Sequence, residues 1–213
     1  IVYIQESDKK ANNNSLESIV AAQSIADKNG EKLLAVTFNK DIANDLCKLN
    51  LSKVILINNS ELDKYNPLLY LEALEQICER FNPKLIFFGH TYETRDWVPR
   101  LSARLNYPLI SDCINVDNDN ENIFCIRPIY QAKLNEKIFL TLNTIISFQA
   151  GSYNQENIKA GNCEVDELTL NFSNVKNTIR PGEKFKESEE GVDLTSAEII
   201  VSIGRGISKE ENI

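Results

Sequence analysis

The chain has no methionine, a single histidine, a single tryptophan and no cysteine pair at C-x-x-C spacing. Each shortage excludes something. A translation product begins with Met, whereas this chain opens on Ile1-Val2-Tyr3-Ile4, so residues ahead of Ile1 are expected to be missing or removed. Five cysteines, Cys47, Cys78, Cys113, Cys125 and Cys163, are scattered and odd in number. With one histidine and no paired spacing, a zinc site is not expected. Cysteines among apolar neighbours instead read as small hydrophobes in a reduced, intracellular protein. No apolar run approaches the roughly 20 residues of a membrane helix, and no signal peptide is visible, so membrane insertion is not expected. Lys and Arg number 23 against 31 Asp and Glu, a net charge of −8. That balance argues against a nucleic-acid or anionic-membrane binder, since both need basic surface.

The phosphate-binding fingerprints are missing too. No G-x-G-x-x-G follows the first apolar segment, and no G-x-x-x-x-G-K-[ST] occurs anywhere. What is present is an ordinary globular composition, 42% apolar over 213 residues. That suffices for one large domain, or for one domain plus an attachment.

The amino-terminal half alternates two periodicities. Residues 2–4 form a first apolar strand, followed by a polar loop over 6–14. Ser15 is placed to cap a helix carrying Leu16, Ile19, Val20, Ala22 and Ile25, which Asn29-Gly30 ends. Residues 32–38 are a second strand and 41–49 a short helix with Ile42, Leu46 and Leu49 on one side. A third strand covers 53–57. Asn66-Pro67 opens a helix with Leu68, Leu71, Leu74, Ile77 and Cys78 as its buried stripe, closed by Phe81-Asn82-Pro83. Units of roughly 25–30 residues repeated in this way predict a parallel, doubly wound α/β sheet with right-handed crossovers.

Residues 84–106 are the centre of this pattern. The bounded apolar run 85–88 fits a strand buried on both faces. A polar loop follows, Gly89-His90-Thr91-Tyr92-Glu93. Then Thr94 or Asp96 can cap a helix with Pro99 in its first turn and Val98, Leu101 and Leu105 on its apolar stripe. In open α/β sheets, ligands meet the protein at this carboxyl end of the strands.

After residue 109 the texture changes. Segments 110–116, 123–130, 138–143 and 145–149 are strand-like and consecutive, so an antiparallel or mixed addition to the sheet is expected. Alternation over 163–172 suggests one more. Residues 173–196 are polar and include the acidic run 187–191, read as a solvated linker. Residues 197–202 (Ala-Glu-Ile-Ile-Val-Ser) then start a new strand leading into Ile203-Gly204-Arg205-Gly206.

Two stretches together resemble the α subunit of electron transfer flavoproteins and its nitrogen-fixation relatives. One is Gly89-His90-Thr91-Tyr92-Glu93-Thr94-Arg95-Asp96 with Pro99-Arg100-Leu101-Ser102-Ala103-Arg104-Leu105. The other is Ala197-Glu198-Ile199-Ile200-Val201-Ser202-Ile203-Gly204-Arg205-Gly206, followed by Glu211-Asn212. Asp112 ahead of a strand and Arg127-Pro128-Ile129-Tyr130 are similar to further family segments. The sequence departs from the family at Ile203, at Gln131-Ala132 and over 147–151.

The resemblance implies an adenine-nucleotide α-hydrolase-like α/β fold. It implies an amino-terminal domain over 1–172, a linker over 173–196 and, over 197–213, the start of a truncated FAD-binding domain. It implies FAD, bound mainly by the part of that domain beyond Ile213, with Gly204, Arg205 and Gly206 as this chain's own cofactor-binding residues. The implied partners are an electron transfer flavoprotein β subunit, acyl-CoA or other dehydrogenases as donors, and a quinone oxidoreductase or other acceptor. The implied location is the bacterial cytoplasm or the mitochondrial matrix. An electron carrier is expected rather than a self-contained catalyst. A guanidinium at Arg205 beside an isoalloxazine favours negative charge on the ring.

No catalytic residue is assigned. His90 has no evident nucleophile partner, and a triad would need a third, spatially placed group. Asp96 is expected to cap its helix, while Arg95 reaches a neighbour, a second subunit or the flavin domain. Trp97 is expected to be core or interface packing. The alternative is an ATP- or AMP-binding module of the universal stress protein type, sharing the fold. A small hydrolase is the third reading.

Overall fold

The short apolar runs of the sequence form the interior of one parallel sheet. In the computed structural model, which describes residues 1–119, 122–141, 143–182, 199–204 and 206, the elements follow in this order. β1 (Val2–Tyr3) leads to a small hairpin, β2 (Glu6–Ser7) and β3 (Lys10–Ala11). Then come α1 (Asn13–Asn29), β4 (Leu34–Thr37), α2 (Lys40–Leu46), β5 (Lys53–Ile57), α3 (Pro67–Phe81), β6 (Leu85–Gly89) and α4 (Tyr92–Leu105). β7 (Leu109–Cys113), β8 (Asn115–Asp119), β9 (Asn122–Ile129), β10 (Leu134–Phe139), β11 (Thr144–Phe148) and β12 (Val165–Leu168) complete the chain.

Seven strands build the main sheet in the order β12-β5-β4-β1-β6-β11-β7, every adjacent pair parallel. The fold is therefore α/β and doubly wound, with antiparallel strands in addition. Those strands form a separate sheet, β10-β9-β8. β7, β11 and β12 join the main sheet in parallel instead. The 110–116 segment accordingly splits, half in each sheet. All five residues of β11 are buried, as are four of five in β5 and β6. This is why those strands read as continuous apolar runs without alternation.

Successive strand residues face opposite layers. Tyr3, Ile86 and Phe88 meet α3 and α4, through Leu71, Leu74 and Ile77 on one helix and Trp97, Val98 and Leu101 on the other. Val2, Phe87, Ile146 and Phe148 meet α1, α2 and the antiparallel sheet, through Ile19, Ile25, Ile42, Val116 and Cys125. Trp97 is fully buried and meets Tyr3 and Phe88 edge-on at 5.4 and 5.5 Å between ring centroids, so it is core.

Helix starts differ from expectation in two places. α1 is capped by Asn12, whose side chain accepts from the Asn14 and Ser15 amides. Ser15 lies inside the helix, and its hydroxyl accepts from the Gln5 amide instead. α4 is capped by Thr91 through a reciprocal box with Thr94. Asp96 is thus in the second turn, and Pro99 lies well inside the helix. There Pro99 has no N–H for the Arg95 carbonyl. The caps Asn66 and Gly30 stand as expected, Gly30 with φ +63°.

One compact unit covers Ile1–Pro181 and a second covers Gly182–Ile213. Residues 173–181 lie within the first of these units. Phe172 lies in the core with Val175 packed against it. Of the stretch expected to begin a new strand, 199–202 are irregular, and 197–198 lie outside the described residues. A strand needs a neighbour to bond, and among the described residues nothing pairs with 199–202.

Candidate functional site

The chain leaves β1 for β4 and β5 on one side of the sheet, then crosses to β6, β11 and β7 on the other. The crevice between the carboxyl ends of β1 and β6 is the topological switch point, where such sheets ordinarily receive a ligand. Here the protein fills it. Thr91 Oγ1 donates to Gln5 Oε1 at 2.6 Å, and the Gln5 amide donates to Ser15 Oγ at 3.2 Å. Thr94 Oγ1 donates to the Gly89 carbonyl at 2.6 Å. At Gly89 a Cβ would lie 2.9 Å from the Asn14 carbonyl carbon and 3.0 Å from the Ser15 nitrogen. Gly89 thus lets the first turn of α1 press onto the strand end.

Beside the crevice, three strands bring together residues distant in sequence. His90 Nδ1 is 2.9 Å from Ser147 Oγ, and His90 Nε2 is 3.9 Å from Asp112 Oδ1. A bulge in β7 creates this. Between the pairs Ile146↔Ile110 and Phe148↔Cys113 the register shifts, and Asp112 takes φ +62°. Its amide donates to Ser147 Oγ at 3.3 Å. The Ser147 hydroxyl therefore bonds both the Asp112 amide and His90 Nδ1. Burial holds the His90 pKa below its ordinary value; the Asp112 carboxylate pulls it up and Arg95 lowers it further.

This is not a hydrolytic triad. Ser147 is 3% exposed, so its oxygen cannot reach a substrate. The Asp112 contact is also too long for a hydrogen bond. Ser147 was not legible as a partner of His90, because 57 residues separate them and only the β6–β11 pairing joins them.

Helix α4 shows where Arg95 and Asp96 go. Asp96 accepts from the Tyr65 hydroxyl at 2.5 Å and from Arg100 at 3.3 Å, so it ties α4 to the segment before α3 and does not cap. Arg95 is exposed, with its guanidinium 5.4 Å from the ring centroid of Tyr92, itself 89% exposed. A second exposed apolar group lies on the β9–β10 hairpin, with Tyr130, Leu134 and Phe139. Its turn holds Tyr130, Gln131 and Ala132 all at positive φ.

The residues assigned to a cofactor lie in the second unit. Gly204 and Gly206 are exposed, and a Cβ on either would meet nothing within 4 Å. Arg205 lies outside the described residues. The described residues of this unit do not by themselves form a flavin cradle, which would need groups converging on the ring and phosphates. Among the described residues no three His, Cys, Asp or Glu side chains cluster as metal ligands, and no helix is long and apolar enough to cross a membrane.

Comparison with known proteins gives a consistent set. The family model for the electron transfer flavoprotein domain matches residues 1–173. The electron transfer flavoprotein subunit alpha of Bacillus subtilis is 29% identical, over 96% of this chain and 63% of that protein. Protein FixB of Clostridium saccharobutylicum is 27% identical, over 99% of this chain and 65% of that protein. The lactate dehydrogenase (NAD(+),ferredoxin) subunit LctC of Acetobacterium woodii is 27% identical, with 52% of its length covered. The chain spans less than two thirds of the length of these curated relatives.

Proposed function

The chain belongs to the electron transfer flavoprotein family, and from that membership we propose that it is the amino-terminal part of an electron transfer flavoprotein α subunit. The complete subunit pairs with a β subunit and holds FAD mainly through a carboxyl-terminal domain. It takes electrons from acyl-CoA or similar dehydrogenases and hands them to a quinone oxidoreductase or another acceptor. Within this reading, 1–172 is the scaffold domain, 173–196 the linker and 197–213 the start of the flavin domain. Gly204, Arg205 and Gly206 are the chain's own approach to the cofactor. The Arg205 guanidinium would favour negative charge on the flavin ring. Arg95 and Tyr92 offer an exposed cation and ring to the second subunit or the flavin domain.

The observation that carries the reading is the family match over 1–173 combined with the closed crevice. A sheet whose usual ligand position is packed with its own side chains serves as a scaffold. The same closure speaks against an ATP- or AMP-binding module. The test is coexpression of the subunit, extended to the length of its relatives, with a β subunit. A purified complex with a flavin visible spectrum, reducible by an acyl-CoA dehydrogenase and its substrate, is expected. A colourless complex, or one that binds AMP through this domain alone, would sink the proposal.

A further inference from the structure

Asn66 carries two tasks at once. Its side-chain oxygen caps α3, accepting from the Leu68 amide at 3.0 Å and the Leu69 amide at 3.4 Å. Its side-chain NH₂ spends both protons on the segment that follows β12: Nδ2 donates to Asn177 Oδ1 and to the Ile179 carbonyl, both at 3.0 Å. The residue is 2% exposed. Capping needs only the oxygen, and an aspartate would cap equally well. The amide is what the second task requires.

That second task belongs to a strap. From β12 the chain runs back along α3. Gln76 holds Asn171 through both main-chain groups, donating to its carbonyl at 2.7 Å and accepting from its amide at 3.4 Å. Phe172 is buried in the core below. The strap then folds on itself, the Val175 amide donating to the Phe172 carbonyl and the Asn177 amide to the Val175 carbonyl. Asn177 Oδ1 accepts from the Ile179 amide as well as from Asn66. The compact unit ends two residues after Ile179, at Pro181.

We infer that Asn66 is a positioning residue that fixes where the tether to the flavin domain departs from the scaffold. This rests on the proposed linker role of the segment after the strap. With Asn66 engaged, the tether starts at 180. With it released, the last packed anchor is Val175, and the tether lengthens by about four residues, each reaching up to ~3.5 Å. Reach and effective concentration of the tethered domain change accordingly.

The test is Asn66→Asp in the same chain, read by hydrogen exchange and by trypsin cleavage after Lys176. The carboxylate keeps the cap and turns two attractions to oxygen into repulsions. Exchange at Asn177 and Ile179 and cleavage after Lys176 should accelerate about tenfold or more, the scale of two lost buried hydrogen bonds, while Val175 stays protected. The Leu68 and Leu69 amides should stay protected, and Asn66→Ala should lose protection at both places. Unchanged strap exchange in Asn66→Asp overturns the inference. So does equal loss at the strap and at the first turn of α3, which would make Asn66 a cap only. Neither readout involves flavin, so the strap can fail while the electron-transfer reading stands, and the reverse.

Discussion

Replacing Gly89 with alanine probes whether the switch-point crevice is closed. The added methyl would sit 2.9 Å from the Asn14 carbonyl carbon, 3.0 Å from the Ser15 nitrogen and 3.1 Å from Asn14 Cγ. Two of those three atoms are backbone, so no side-chain rotation relieves the clash. The helix start cannot retreat freely either. Asn12 caps it, Ser15 holds Gln5, and Glu17 accepts from the Gly151 amide at 2.7 Å. Overpacking of this kind costs about 1–3 kcal/mol, and a fixed backbone neighbour places it toward the upper end. For a chain of this size, Tm should fall by about 2–12 °C. Gly30→Ala is the control: a Cβ there meets nothing, and only the left-handed φ of +63° is strained. That variant should lose about 1 kcal/mol, with Gly30→Asn closer to the wild type. Thermal and urea unfolding by circular dichroism measures all three. If Gly89→Ala unfolds within about 0.5 kcal/mol of the wild type while Gly30→Ala shows its loss, α1 does not press on the strand end. The case for a filled crevice then collapses.

Thr91→Ala removes the α4 cap and the donor to Gln5, and should cost about 1–2 kcal/mol in urea unfolding, with Thr91→Ser largely restoring it. The folded pKa of His90 lies below the ordinary histidine value, so the unfolded chain binds this proton more readily. Its contribution is present above about pH 6.5 and is lost as the pH falls, with a slope of at most about 1.4 kcal/mol per pH unit. The urea midpoint of the wild type should therefore drop more between pH 7.5 and 5 than that of His90→Gln; equal drops would contradict the burial of the ring. Thiol titration at pH 8 should find Cys78, Cys113 and Cys125 closed in the native protein and all five thiols reactive in urea. Burial pushes Cys78 up to about 12 and Cys163 up to about 11, which slows both further. Five fast native thiols would refute the packing of these residues.

Most of the fold was legible in the sequence because its signals are local. Residues 53–57 read as a strand and 85–88 as one buried on both faces, because a parallel strand covered on both faces is apolar at every position. Asn66-Pro67, Gly30 and Asn82 marked helix ends because each satisfies main-chain groups within a few residues. Trp97, expected as core or interface packing, proved to be core. The caps of α1 and α4 were misplaced because Asn12, Ser15, Thr91 and Asp96 are all competent caps, and geometry selects among them.

What only the tertiary structure decided is non-local. The alternating pattern after residue 109 said that strands were present but not which neighbour each would take. β7, β11 and β12 pair in parallel with strands formed elsewhere in the sequence, while β8–β10 pair with one another. The bulge that turns Asp112 toward His90 depends on β7 meeting β11 out of register. The closure of the crevice depends on Gly89 being small where a helix 75 residues upstream arrives. The second task of Asn66 depends on a strap 111–113 residues away. Sequence fixes what each residue can donate, accept or bury; the partner that takes it up is determined only when the chain closes on itself.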